Sequence, residues 1–300
     1  MHIPVLFDEV MRALQPKNGG RYLDCTLGGG GHTEGLLKAS APDGRVLATD
    51  ADSEAIARVR SKLDATRLIL RQCWLDETPA LVRELGFVPL DGILMDLGLS
   101  SFQLDEGRRG FAFMREGPLD MRFDQSKGVS AAQWIDEHDV GELTDVLRAY
   151  GDVPGARRVA EAIWQARPLT TTTQLREVVA GLTKTRTSKI HPATLVFQAL
   201  RIAVNDELGR LERVLPGLIG LLKPGGRLAV ITFHSLEDRI VKDIFRRESR
   251  TVRAQPGFGE QETFEARVRL VNKDPITPTE NEITTNPRAR SAKLRVAEKV

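Results

Sequence analysis

Four consecutive glycines, Gly28 to Gly31, close an apolar stretch that begins at Arg21 and lead straight into His32. Glycine has no Cβ and enters positive φ at little cost, so such a turn lets backbone come within contact distance of a ligand. A second apolar stretch, Arg45-Val-Leu-Ala-Thr, ends in Asp50. An acid in that place can accept hydrogen bonds from both hydroxyls of a ribose. Together these residues describe a site for a nucleoside-containing cofactor. The dinucleotide pattern G-x-G-x-x-G is incomplete: counted from Gly28 the third position is Thr33, and from Gly29 it is Glu34. Glu34 in the first turn of the following helix would also repel a diphosphate, which a helix N-terminus otherwise attracts. The methionine end of S-adenosylmethionine meets no such repulsion, so a methyl donor is the expected ligand.

The elements that must hold these residues alternate through the first hundred positions. Strands are expected at 21–26, 45–50, 68–73 and 91–97, and helices at 32–40, 53–63 and 77–85, with Ser53 as the N-cap of the second. That alternation predicts an α/β fold with a parallel sheet. The fourth strand, Asp91-Gly-Ile-Leu-Met-Asp-Leu97, is apolar on both faces, as a central parallel strand must be. Asp96, an acid ending such a buried strand, needs a partner.

Beyond it only helical periodicity appears. Val140, Leu143, Val146, Leu147 and Tyr150 share a face, with Asp139 as cap and Gly151 as stop, and further helices are expected at 156–166, 173–182 and 193–208. A strand returns at 225–233. The chain therefore divides into a first part of an α/β domain at 1–104, an all-helical insertion at 105–205, and the rest of the α/β domain at 206–300. The insertion follows the carboxyl end of a strand, where α/β sheets bind ligands.

With 41% hydrophobic residues, the 300-residue chain can build one large core and a smaller second one. Forty-three Lys and Arg against 41 Asp and Glu leave a net charge of +2, so any footprint for a polyanion is local. Residues 157–201 carry 8 basic and 2 acidic groups, and a second basic stretch runs from Asn286 to Arg295. Cys25 and Cys73, placed at the ends of inner strands, have no metal-ligand spacing and read as reduced packing residues. The five histidines are scattered, and no structural metal is expected. No apolar run reaches the roughly 18 residues of a membrane span and the N-terminus lacks a signal-peptide pattern, so a cytoplasmic protein is expected.

Several longer segments resemble one family. They are His2-Ile-Pro-Val-Leu, Asp24-Cys-Thr-Leu-Gly-Gly-Gly-Gly-His32, Asp96-Leu-Gly-Leu-Ser-Ser101, Arg109-Gly-Phe-Ala-Phe-Met, Gly117-Pro-Leu-Asp-Met-Arg122, His191-Pro-Ala-Thr, Phe233-His-Ser-Leu-Glu-Asp-Arg239 and Asn286-Pro-Arg-Ala-Arg-Ser. The chain resembles the bacterial small-subunit ribosomal RNA cytidine-N4 methyltransferases over essentially its whole length. The resemblance implies a Rossmann-like class I S-adenosylmethionine-dependent sheet with the helical insertion, acting on a cytidine in the decoding centre of 16S rRNA within the small subunit, and it suggests a homodimer. It also implies that Gly30, Gly31 and His32 close over the methionine part, that Asp50 holds the ribose, that Trp74 flanks the adenine, and that Asp96 and Gln103 contact the cofactor.

An exocyclic amine has its lone pair delocalised into the ring, so methyl transfer needs acceptors for the amine hydrogens. Asp96, Ser100 and Ser101 are the candidates. Amino methyltransferases usually carry an Asp/Asn/Ser-Pro-Pro-aromatic segment here; this chain has Asp-Leu-Gly-Leu-Ser-Ser, which departs from that wider pattern. The target base must leave its stack. Phe111, Phe113 and Trp134 are expected stacking surfaces, His234 a pocket residue, and Lys184, Arg186 and Lys189 phosphate contacts. A C5-cytosine methyltransferase would need a cysteine nucleophile near Asp96, which the sequence does not supply, and an oxidoreductase would need the third glycine. An RNA-binding assembly factor that holds the cofactor only as a ligand is disfavoured because every expected site position is filled, and an assay for methyl transfer decides between the two.

Overall fold

A computed structural model describes residues 4–63, 66–182, 192–251 and 264–300. The chain divides into two compact units. One comprises the described residues up to Gly98 together with Leu208–Val300, and the other spans Leu99–Glu207.

The first unit is built on a seven-stranded sheet of β1 (Arg21–Asp24), β2 (Arg45–Asp50), β3 (Leu68–Gln72), β4 (Leu90–Asp96), β5 (Leu222–Thr232), β6 (Val268–Leu270) and β7 (Lys293–Lys299), in the order β3-β2-β1-β4-β5-β7-β6. The first five are mutually parallel, and β7 runs antiparallel to both β5 and β6. The order reverses between β1 and β4, so the crevice beyond the carboxyl ends of these two strands is where an open α/β sheet receives its ligand. This is the Rossmann-like arrangement expected, extended by two antiparallel strands. Because β3 lies at the sheet edge, Cys73 follows an edge strand and not an inner one. Both cysteines are nonetheless buried thiols.

Around the sheet lie α1 (Phe7–Leu14), α2 (Gly31–Ala39), α3 (Ser53–Arg60), α4 (Thr78–Glu84), α11 (Glu207–Ile219), α12 (Ser235–Glu248) and α13 (Glu280–Thr285). Two apolar layers result, one of Leu90, Ile93, Met95, Val230 and Phe245, the other of Leu36, Val46, Leu94, Ile231 and Leu294. The N-cap of α3 is Asp52, whose carboxylate accepts from Glu54 N at 3.0 Å; Ser53 is the first helical residue. Aspartate satisfies an orphan N–H there as well as serine does.

The second unit holds α5 (Ser101–Asp105), α6 (Ala131–Glu137), α7 (Val140–Gly151), α8 (Ala156–Gln165), α9 (Thr172–Leu182) and α10 (Pro192–Asn205) around a core that includes Leu143, Leu147, Ile163, Val196 and Leu200. Asp139 caps α7 as expected, but Gly151 is its last residue and the chain turns at Asp152, with φ of 47°. The expected helix at 193–208 is two helices, interrupted at Asp206 with φ of 48°.

Candidate active site

Asp24, at the end of β1, accepts from Thr33 Oγ1 at 2.7 Å and from Thr26 N at 3.1 Å. Thr26 in turn accepts the N–H of Asp96 on its Oγ1 at 2.6 Å. One threonine thus fixes the end of β4 against the end of β1. The Asp96 side chain is 20% exposed, but its Oδ1 is buried and, among the described residues, has no hydrogen-bond partner. Burial pushes its pKa well above the usual carboxylate range, and the charges of Asp24 and Glu237 push it further. His32 Nε2 stands 3.6 Å from Asp96 Oδ2, and the imidazole stacks on Phe7 with centroids 5.9 Å apart.

Asp50 secures the glycine turn. Its Oδ2 accepts from Gly28 N at 2.8 Å and its Oδ1 from Asp52 N at 2.9 Å. Burial raises its pKa to about 6 against the opposing pull of these two N–H groups. Each oxygen keeps a further lone pair for a ligand. Gly28 and Gly30 adopt φ of 49° and 81°. A Cβ on Gly30 would lie 2.8 Å from Val59, and one on Gly31 would lie 2.4 Å from Pro4. These two glycines are thus demanded by the protein's own packing, and the Gly30 N–H is taken by Leu27 O at 2.7 Å. What this turn can offer a ligand is the backbone N–H groups at the start of α2.

Two further side chains border this end of the sheet. His234 is the N-cap of α12: its Nδ1 accepts from Glu237 N at 3.4 Å, and its Nε2 lies 3.2 Å from Glu237 Oε1. Glu237, only 2% exposed, accepts from Phe233 N at 2.8 Å and His234 N at 3.3 Å. Trp74 follows β3, and Arg210 lies over its ring at 4.1 Å while pairing with Asp76. One face of the indole is therefore covered by a guanidinium.

In the helical unit the expected residues take other positions. Ser100 is the N-cap of α5, its Oγ accepting from Gln103 N at 3.2 Å while Gln103 Oε1 accepts from Ser100 N at 3.0 Å. This capping box engages two of the expected site residues in holding their own turn. Ser101 begins the helix, half-buried. Phe111 is 6% exposed and stacks on Phe123 with Arg109 5.7 Å from its centroid, so in this structure it packs as a core residue. Phe113 packs edge-on against Phe197, and Trp134 stacks on His138 at 3.8 Å. Among the described residues of this unit the exposed large aromatic is Trp164, at 42%, with Arg167 over its ring at 4.5 Å. Lys184, Arg186 and Lys189 lie outside the described residues.

Asp24, Thr26, Thr33 and Glu237 were not among the residues singled out from sequence. Asp24 was within reach, since it ends the strand before the glycines. Glu237 was hidden because histidine is an unusual N-cap, so the H-x-x-E spacing does not read as a capping box. Among the described residues no cluster of His, Cys, Asp and Glu could hold a metal, and no helix is long and apolar enough to cross a membrane.

This chain is 48% identical over 309 residues to the ribosomal RNA small subunit methyltransferase H of Thermomicrobium roseum, covering 100% of this chain and 94% of that protein. It is 48% identical over 310 residues to the protein of the same description from Magnetococcus marinus, covering 100% and 98%. A solved rRNA methylase from Streptococcus thermophilus superposes with a TM-score of 0.46 at 11% identity, covering 100% of this chain and 99% of that one. The methyl donor is S-adenosylmethionine. The MraW methylase family matches residues 1–300, and the chain belongs to it.

Proposed function

We propose that this protein methylates N4 of a cytidine in the decoding centre of 16S rRNA, taking the methyl group from S-adenosylmethionine. The observation that carries the reading is the buried Oδ1 of Asp96 at the carboxyl end of β4, which has no partner among the described residues. A buried acceptor without a donor is costly, and an exocyclic amine supplies the missing donor. The names of the curated relatives point to small-subunit rRNA, and the resemblance in the Asp96-Leu-Gly-Leu-Ser-Ser segment points to cytidine N4.

The residues present fit the cofactor. Asp50 retains acceptor capacity for ribose hydroxyls, the start of α2 offers backbone N–H groups to a carboxylate, and Trp74 offers a ring to adenine. When bound, S-adenosylmethionine supplies an electrophilic methyl group. Asp96 then accepts an amine hydrogen on Oδ1, which localises the nitrogen lone pair, and takes the proton that leaves as the amine is alkylated. Its raised affinity for protons suits that task. His32, 3.6 Å from the other oxygen, orients the carboxyl group. Ser101 is the second candidate acceptor, and Ser100 contributes by capping the turn that carries it. Phe113 and Trp134 remain candidate contacts for the flipped base, as do Gln103 for the cofactor and Lys184, Arg186 and Lys189 for phosphates.

Mapping modified nucleosides in rRNA from cells with and without this protein tests the assignment. Loss of one N4-methylated cytidine from 16S rRNA is the expected result; an unchanged modification pattern would overturn it.

A further inference from the structure

Antiparallel β7 carries a basic segment to the ligand-binding edge of the sheet. Lys293 pairs with Thr232, the last residue of β5, so the residues just before Lys293 and the residues just after Thr232 emerge from the sheet side by side. The former are the short 3-10 helix Pro287–Ser291 with Arg288 and Arg290; the latter are His234 and the first turn of α12.

The segment is anchored. Ala289, between the two arginines, is fully buried in the apolar layer, as is Ala292, and the N–H groups of Ala289 and Ala292 bond to Asn286 O and Ala289 O at 2.9 and 2.8 Å. Arg288 and Arg290 are exposed on either side of this plug. Of the two acids in the first turn of α12, Glu237 is buried in the capping box with His234, and Asp238 is buried and paired with Arg295, at 2.6 Å, and Lys293, at 3.3 Å. Exposed Arg239 adds a further positive charge on the same turn.

We infer that Arg288 and Arg290 form an RNA-phosphate contact on the catalytic edge of the first unit, gripping the backbone beside the target nucleotide. The inference rests on the substrate reading above and adds a footprint independent of the helical insertion. With the backbone already fixed, binding need order only the two side chains, and guanidinium groups match phosphate geometry.

The test measures binding of small ribosomal subunits, purified from cells lacking this protein, at several salt concentrations. It compares wild type, Arg288→Gln/Arg290→Gln, and a charge-matched control, Arg246→Gln/Arg250→Gln, whose residues lie at the far end of α12 and beyond it. The first variant is expected to bind about tenfold more weakly and to show a salt slope shallower by about 1.4, the value for two lost single-strand phosphate contacts. Its affinity for S-adenosylmethionine should be unchanged, and Arg288→Lys/Arg290→Lys should regain most of the RNA affinity. Should the double glutamine variant fail to fold, Arg290→Gln alone carries the test with about half the slope change. Wild-type binding and methylation with an unaltered double variant would overturn this inference and leave the substrate reading standing, as would equal losses in the control. Wild type that neither binds nor methylates the subunits would overturn both.

Discussion

His32 Nε2 and Asp96 Oδ2 stand 3.6 Å apart, the first at the start of α2 and the second at the end of β4. The imidazole faces one carboxyl oxygen, and the other oxygen is buried with no partner among the described residues. In the proposed reading the glycine turn would do two things at once: present backbone to the cofactor and set a side chain against the acid that accepts the amine proton.

Asp50 ties the turn from its other side, and its pKa near 6 makes the tie pH-dependent. The folded value exceeds the usual carboxylate value of about 4, so the folded state holds this proton more tightly than the unfolded chain does. The contribution to stability is full below about pH 4 and is lost as pH rises to about 6. The ribose contact has the opposite sign, since it needs the ionised acceptor. Affinity for S-adenosylmethionine measured by calorimetry should rise between pH 5 and 7, by up to about tenfold per unit below the pKa. Asp50→Ala should cost about 1.5–3 kcal/mol of binding, the scale for hydrogen bonds to a charged group, and should flatten the pH profile. Unchanged affinity in a folded variant contradicts the assignment.

Thr26→Val removes the acceptor for the Asp96 N–H while keeping the volume. The unpaired N–H should cost about 1–3 kcal/mol of stability, read from denaturant unfolding. The loosened end of β4 should lower kcat by about tenfold or more with little change in cofactor affinity. A variant with lower stability but full kcat would show that Thr26 has no part in positioning Asp96.

Neither cysteine should take part in the chemistry. The Cys25 thiol is buried, and burial together with the charges of Asp24 and Cys73 pushes its pKa well up, the wrong direction for a nucleophile. Cys25→Ala/Cys73→Ala should keep methyl transfer within a few-fold if it folds. Abolished activity with intact cofactor binding would instead point to a covalent enzyme-base adduct.

The first four strands were legible because parallel strands buried on both faces are apolar throughout. Strand β7 was not, and its residues read only as a basic patch. Its charged side chains are paired inside the fold: Arg295 with Asp238, and Glu298 with Arg227 and Arg269, so both Arg295 and Glu298 are only 8% exposed. Helix α1 gave no start signal, since its N-cap is Leu6 in the left-handed region at φ of 52°. Helix α11 contains Pro216, a residue that argues against a helix interior when read alone. Of the site, the glycine turn, Asp50 and Asp96 carried recognisable signals. Phe111 could not be distinguished by type from a stacking residue, because core and base-stacking aromatics are chemically the same.

Asp96 is proposed to accept the proton from a cytidine amine. The direct measurement is transfer of labelled methyl groups to small subunits from cells lacking this protein, followed by nucleoside digestion, for wild type and Asp96→Asn. Wild type should label N4-methylcytidine with a rate that rises with pH through the raised pKa of Asp96, since the base must be ionised to act. Asp96→Asn, folded and still binding cofactor, should be slower by about 10²–10⁴-fold with that limb of the profile gone. Label on any other nucleoside would rule out cytidine N4 as the acceptor, and an Asp96→Asn enzyme with wild-type rate and pH profile would rule out Asp96 as the base.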